Sequence, residues 1–93
     1  MTDAALSQTV LIVNRRGLHA RAAAKLVTTA ERFGAEIQVS HDDQCVSARS
    51  IMGLMMLGAG KGASVTLSAT GEGGAEALAA IRTLIEAGFG EDD

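Results

Sequence analysis

The stretch Gln8–Asn14, QTVLIVN, is a short β-branched run that ends at the turn NRRG, and it predicts a strand. From Ala20 to Phe33 the apolar positions Ala23, Leu26, Val27, Ala30 and Phe33 recur at helical spacing, with Gly34 as the stop. EIQVS then alternates, with Ile37 and Val39 on one face. The polar turn HDDQ leads into CVS, which predicts a hairpin. Ser50 precedes the short apolar helix IMGLMMLG, which ends near Gly58. SVTLSA alternates again, with Val65 and Leu67 inward. The loop TGEGG precedes a last helix, Ala75–Ala87, with Leu78, Ile81 and Ile85 on one stripe and Gly88 as its stop.

The predicted order is β-α-β-β-α-β-α. Its middle strands form a hairpin, so a doubly wound parallel sheet does not follow. The economical solution is an α+β open-faced sandwich, a four-stranded antiparallel sheet covered on one face by three helices. With 93 residues, no internal repeat and no linker, residues 1–93 read as a single domain.

Composition narrows the function classes. Hydrophobic residues make up 47%, too many for a disordered tail. Aromatics are only 2%, which removes the stacking platforms that single-stranded nucleic acid wants. The net charge of −3 speaks against bulk binding of nucleic acid or an acidic membrane. The sole cysteine, Cys45, has no internal disulfide partner, which fits a reducing compartment. No stretch approaches the ~20 apolar residues of a membrane span. The start MTDAALSQ lacks a secretory pattern, so the expected location is the cytoplasm.

The acids are unevenly placed. None falls between Ala4 and Ala30 or between Gln44 and Gly71, and these segments hold Arg15, Arg16, Arg21, Lys25, Arg49 and Lys61. The pattern predicts one basic face on an acidic protein, although chance spacing of eleven acids can give the same pattern.

His19 lies in the first acid-free segment, just before the helix pattern. Helix starts carry unpaired N–H groups and a partial positive charge, and so favour phosphate. Arg21, the helix start at Ala20, and Arg16 or its neighbour Arg15 are the candidate phosphate contacts. In such a field the imidazole is disfavoured as a cation and would be a neutral nucleophile. A histidine at a helix start also serves as a plain cap or packing residue, and the residues alone leave both readings open. A metal site is not expected. The only other histidine is His41, and His19, His41 and Cys45 lack zinc-ligand spacing. An acyl-transfer triad fails because the segment around His19 supplies no local carboxylate.

The helix that follows Ser50 is apolar nearly all round. Leu54 and Leu57 are spaced for the core, so Ile51, Met52 and Met55 should lie partly exposed and offer an adaptable partner surface. The alternative is a helix wrapped by its own loops. Ser50 reads as the N-cap, and a phosphate there would be tolerated.

GLHARAAAKLV resembles the active-site signature of the HPr family, the histidine phosphocarriers of the bacterial phosphotransferase system. SARSIMGLMMLGAGKG resembles that family's regulatory-serine segment, and VTLSATGEGGAEALAAI its last strand and helix. The resemblance runs from Gln8 to Ala87. It implies the open-faced sandwich, and it implies that His19 takes a phosphoryl group from phospho-enzyme I on Nδ1 and passes it to an EIIA acceptor. It further implies Arg21 as the phosphate-contacting arginine and Ser50 as the substrate of an HPr kinase/phosphorylase. Ile51, Met52, Met55, Lys25 and Arg49 are the candidate docking residues. No cofactor is implied, and a monomer is expected. Such a protein is a carrier consumed and regenerated, not a multiple-turnover enzyme. One departure is Ala22, where the family usually has proline; this affects the rigidity of the active-site turn. The tail LIEAGFGEDD looks more like the nitrogen-related branch than the sugar-transport branch. The competing reading is an HPr-like binding regulator that acts through Ser50 and the methionines without His19 chemistry. The pairing of His19 with Arg21 favours the carrier.

Overall fold

The computed structural model describes residues 6–91. The residues Met1–Ala5, on which most of the secretory reading fell, and the tail acids Asp92 and Asp93 lie outside the described residues. The elements are β1 (Leu6–Leu11), α1 (Ala20–Ala30), β2 (Glu36–His41), β3 (Gln44–Ser47), α2 (Ile51–Met56), β4 (Ser64–Thr70) and α3 (Gly74–Glu86), followed by a 3-10 turn at Gly88–Gly90. The strands form one antiparallel sheet in the order β1-β4-β2-β3. This is the open-faced sandwich that the order of elements predicted.

Alternation sets the two faces of the sheet. Val65, Leu67 and Ala69 of β4 and Ile37 and Val39 of β2 point into the core. On the sheet's other residues polar groups pair across strands. Thr9 and Thr66 hydroxyls meet at 3.4 Å, and the Cys45 thiol donates to Gln38 Oε1 at 2.9 Å. Ala22, Ala23, Leu26, Val27 and Ala30 of α1 and Leu78, Ile81 and Ile85 of α3 close the core from the helical side.

The main differences from the sequence expectation fall at three places. The strand predicted to Asn14 ends at Leu11, where β4 begins opposite. The chain stays tied beyond it, since Ile12 N–H donates to Ala63 O and Gly62 N–H donates to Ile12 O, each at 2.8 Å. The helix predicted to Phe33 ends at Ala30 and tightens into i→i+3 turns, Arg32 N–H to Thr29 O and Phe33 N–H to Ala30 O. Gly34 is not among the positive-φ glycines, so it does not act as the expected left-handed stop. Phe33 is half-buried at the core edge.

The third difference is the C-terminal turn. Past Gly88, the stop of α3 with φ +64°, Phe89 takes a left-handed φ of 57° and is fully buried. Burying a side chain of this size stabilises a small fold by about 1.5–3 kcal/mol, enough to tie the chain end down. That end then lies against α1, where Lys25 Nζ donates to Phe89 O at 2.6 Å.

Candidate functional site

The turn before α1 is closed by Gly17 N–H donating to Asn14 O at 3.2 Å, with Gly17 at φ +64°. A Cβ on Gly17 would stand 2.5 Å from Ala59 O, so only glycine lets this turn pack on the loop after α2. Leu18 is buried, and its N–H donates to the same Ala59 O at 3.0 Å. The next residue, His19, is thereby delivered in extended backbone (φ −76°, ψ 178°) as the N-cap of α1.

His19 caps with its ring. Arg21 N–H donates to His19 Nδ1 at 3.2 Å, and His19 O accepts the first helical bond from Ala23 N–H at 2.8 Å. Nδ1 is therefore an unprotonated acceptor turned towards the helix start, and the ring proton sits on Nε2. Nε2 meets the Glu91 carboxylate, which comes from 72 residues away in the chain. Asn14 Nδ2 donates to Glu91 Oε1 at 3.1 Å and to Gly17 O at 2.9 Å. Asn14 is buried, with Oδ1 unpaired. The His19 hydrogen bond foremost, then the Asn14 donor and the Arg16 charge, hold the Glu91 carboxyl below its ordinary value against a desolvation cost.

The sequence expectation of no carboxylate near His19 is thus corrected. The nearby sequence has none, but the fold supplies Glu91. Linear sequence gave no periodic link between the two. The clue present was GFG, an aromatic between glycines just after a helix stop.

Arg21 is exposed at the helix start and lines a shallow cavity of about 360 Å³ with Ala24, Lys25, Thr28, Thr29 and Leu84. Arg16 is exposed on the preceding turn, on the Glu91 side. Ala20 opens α1. Of the expected basic residues, Lys25 shares the Arg21 cavity and Arg49 stands apart from it. The Lys25 ammonium is held on the C-terminal turn. Arg49 Nη2 donates to Phe33 O at 2.9 Å and Ala35 O at 3.5 Å, past the far end of α1. Eleven helical residues span about 16 Å, so Arg49 belongs to another part of the surface from His19.

Ser50 is the N-cap of α2, where Gly53 N–H donates to Ser50 Oγ at 2.9 Å. Leu54 and Leu57 are buried as their spacing predicted. Ile51 and Met55 are 40% and 44% exposed, Met52 is 72% exposed, and Met56, which the spacing argument had not placed, is equally exposed. The helix is therefore not wrapped by its own loops. His41 lies apart, with Nδ1 against Ser64 O at 3.1 Å and Nε2 near Asp42 at 3.6 Å. Among the described residues no cluster of three His, Cys, Asp or Glu is arranged to hold a metal, and no helix is long and apolar enough to cross a membrane.

Residues 6–87 match the family model PTS-HPr, described as the PTS HPr component phosphorylation site. A phosphocarrier protein HPr of Neisseria meningitidis is 46% identical over 88 residues, which cover 95% of this chain and 99% of that protein. A phosphocarrier protein NPr of Shewanella violacea is 44% identical, covering 92% of this chain and 94% of that one. The crystal structure of HPr-C-His from Thermoanaerobacter tengcongensis superposes with a TM-score of 0.90 at 46% identity, covering 95% of this chain and 99% of its own. Similarity of this depth, running from β1 into α3 and shared by sequence and fold, means that the chain belongs to the PTS-HPr family, the phosphocarriers of the phosphotransferase system.

Proposed function

We propose that this chain carries a phosphoryl group on His19 Nδ1, accepting it from phospho-enzyme I and passing it to an EIIA-type acceptor. The observation that supports this best is the unprotonated Nδ1 facing the start of α1. Neutral imidazole attacks phosphorus through that lone pair. The new N–P bond forms as the bond to the donor breaks, and the donor leaves with its electron pair. The phosphoryl oxygens then fall where the Arg21 N–H now donates to the ring, with the Arg21 and Arg16 guanidinium groups and the Ala20 end of the helix beside them. The protein returns unchanged once the acceptor takes the group, so it is a carrier.

The exposed Ile51, Met52 and Met55 form the apolar part of the docking surface, with Lys25 and Arg49 at its margins. Ser50 is the regulatory residue of an HPr kinase/phosphorylase, because a phosphate on Oγ stays at a helix start that favours anions. The protein works as a cytoplasmic monomer.

Incubation with enzyme I and phosphoenolpyruvate should give an acid-labile phosphate that His19→Ala abolishes without unfolding, since His19 lies outside the core cluster. A label that survives His19→Ala would refute the assignment. Acid-stable label alone, placed on Ser50 by a kinase, would favour a binding regulator.

A further inference from the structure

We infer that Glu91, held by Asn14, is a positioning residue that fixes the tautomer of His19 and stabilises the ring cation formed when Nδ1 is phosphorylated. The inference rests on the phosphocarrier reading. Glu91 touches the ring nitrogen opposite to the reacting one. A carboxylate there accepts the Nε2 proton and so keeps the lone pair on Nδ1, which is the atom that Arg21 N–H already selects. The two contacts agree on one tautomer.

Charge makes the second contribution. Attack through Nδ1 leaves the ring with a phosphoryl group on Nδ1, a proton on Nε2 and one positive charge. No proton needs to move. The Glu91 carboxylate faces that charge through a side chain that is 12% exposed, against a ring that is 16% exposed. Partial exclusion of water lets the pair act at short range.

The carboxylate is placed by the fold and not by chance contact of a loose end. Asn14 is buried and bonds both Glu91 and Gly17 O, so the same amide ties the carboxylate to the turn that delivers His19. Buried Phe89 and the Lys25 bond to Phe89 O seat the chain two residues earlier. Glu91→Ala leaves these anchors in place, so the fold should survive it.

The test uses ¹⁵N-labelled full-length protein, with the His19 ring tautomer read from long-range ¹H–¹⁵N spectra and phosphoryl transfer from enzyme I measured in parallel. The wild-type ring should be the Nε2–H form. Glu91→Gln should keep that tautomer, because the amide oxygen still accepts, yet slow transfer by about tenfold through the lost charge. Glu91→Ala should slow transfer further and admit the Nδ1–H form. Wild-type rates in both variants would overturn the proposal. So would a wild-type ring protonated on Nδ1, or a slowed Glu91→Ala that keeps the wild-type tautomer. Failure of the carrier reading shows differently, as a wild-type protein that takes no acid-labile label at all.

Discussion

Two helix starts in this molecule use the same local device. His19 caps α1 by accepting from Arg21 N–H, and Ser50 caps α2 by accepting from Gly53 N–H. Neither helix has an acid in its first turn. What differs is what the fold lays over each cap. At α1 the C-terminal turn covers the ring's far side with Glu91 and is anchored by the buried Phe89. At α2 there is only one buried helical residue, Leu54, and the flank is exposed methionine. The first arrangement constrains one side chain's orientation and protonation. The second leaves a hydroxyl next to a deformable apolar surface. Local sequence makes both caps, and tertiary neighbours decide what each can do.

The largest effect should come from removing what sets the first site apart. Phe89→Ala deletes a fully buried ring and should cost about 3–5 kcal/mol in chemical denaturation. It should also loosen Glu91 from His19 while the Ser50 cap persists. Native-like stability would show that the C-terminal turn merely rests on the core. A smaller loss should follow Gly17→Ala. The added Cβ meets backbone at 2.5 Å from a positive-φ position, so the turn must open. Strain of this kind costs on the order of 1–3 kcal/mol, and transfer through His19 should slow more than stability falls. A variant that transfers at the wild-type rate would show that the turn does not need this contact.

The two sites were also unequally legible in the sequence. The Ser50 cap, the buried Leu54 and Leu57 and the exposed Met52 all follow from spacing within nine residues, so periodicity reaches them. His19 at a helix start was legible for the same reason. Its carboxylate partner was not, because Glu91 arrives through the sheet order and the left-handed Phe89, neither of which has a local period. The order of elements predicted the four-stranded sheet, whereas the ends of β1 and α1 came out three residues long. At both, backbone bonds continue past the regular element and keep the apolar pattern going.

The Ser50 site can be broken by one atom. Ser50→Ala removes the acceptor for Gly53 N–H and should cost roughly 0.5–2 kcal/mol. Ser50→Asp restores an acceptor that caps as well as serine does, so its melting temperature should stay near wild type. Its charge should still lower the rate of His19 phosphorylation several-fold by weakening the docking of an acidic partner on Met52 and Met55. The measurement is enzyme I-dependent phosphorylation against carrier concentration. An unchanged apparent affinity would remove the electrostatic account, and a large fall in melting temperature would show that the charge had broken the cap.

The smallest effect concerns pH, and only the first site should show it. Glu91 is the titrating partner there, held below its ordinary value of 4.5 chiefly by the His19 hydrogen bond. A carboxyl whose folded value is lowered contributes stability that is fully present above the unfolded value and is lost as pH falls through the folded one. The Glu91–His19 pair should therefore be intact at neutral pH and remain so down through 4.5, the point at which an unpaired glutamate is half protonated. It should release only in stronger acid. The Ser50 cap contains no titrating group. Amide shifts of Glu91 and Arg21 followed against pH should move together in acid, while Gly53 stays still until the domain unfolds. Movement of all three in one transition would mean that the acid step is global unfolding and that Glu91 adds nothing separable. Release of Glu91 above 4.5 would show that the carboxyl gains nothing from His19, and the difference between the two helix starts would then lie in packing alone.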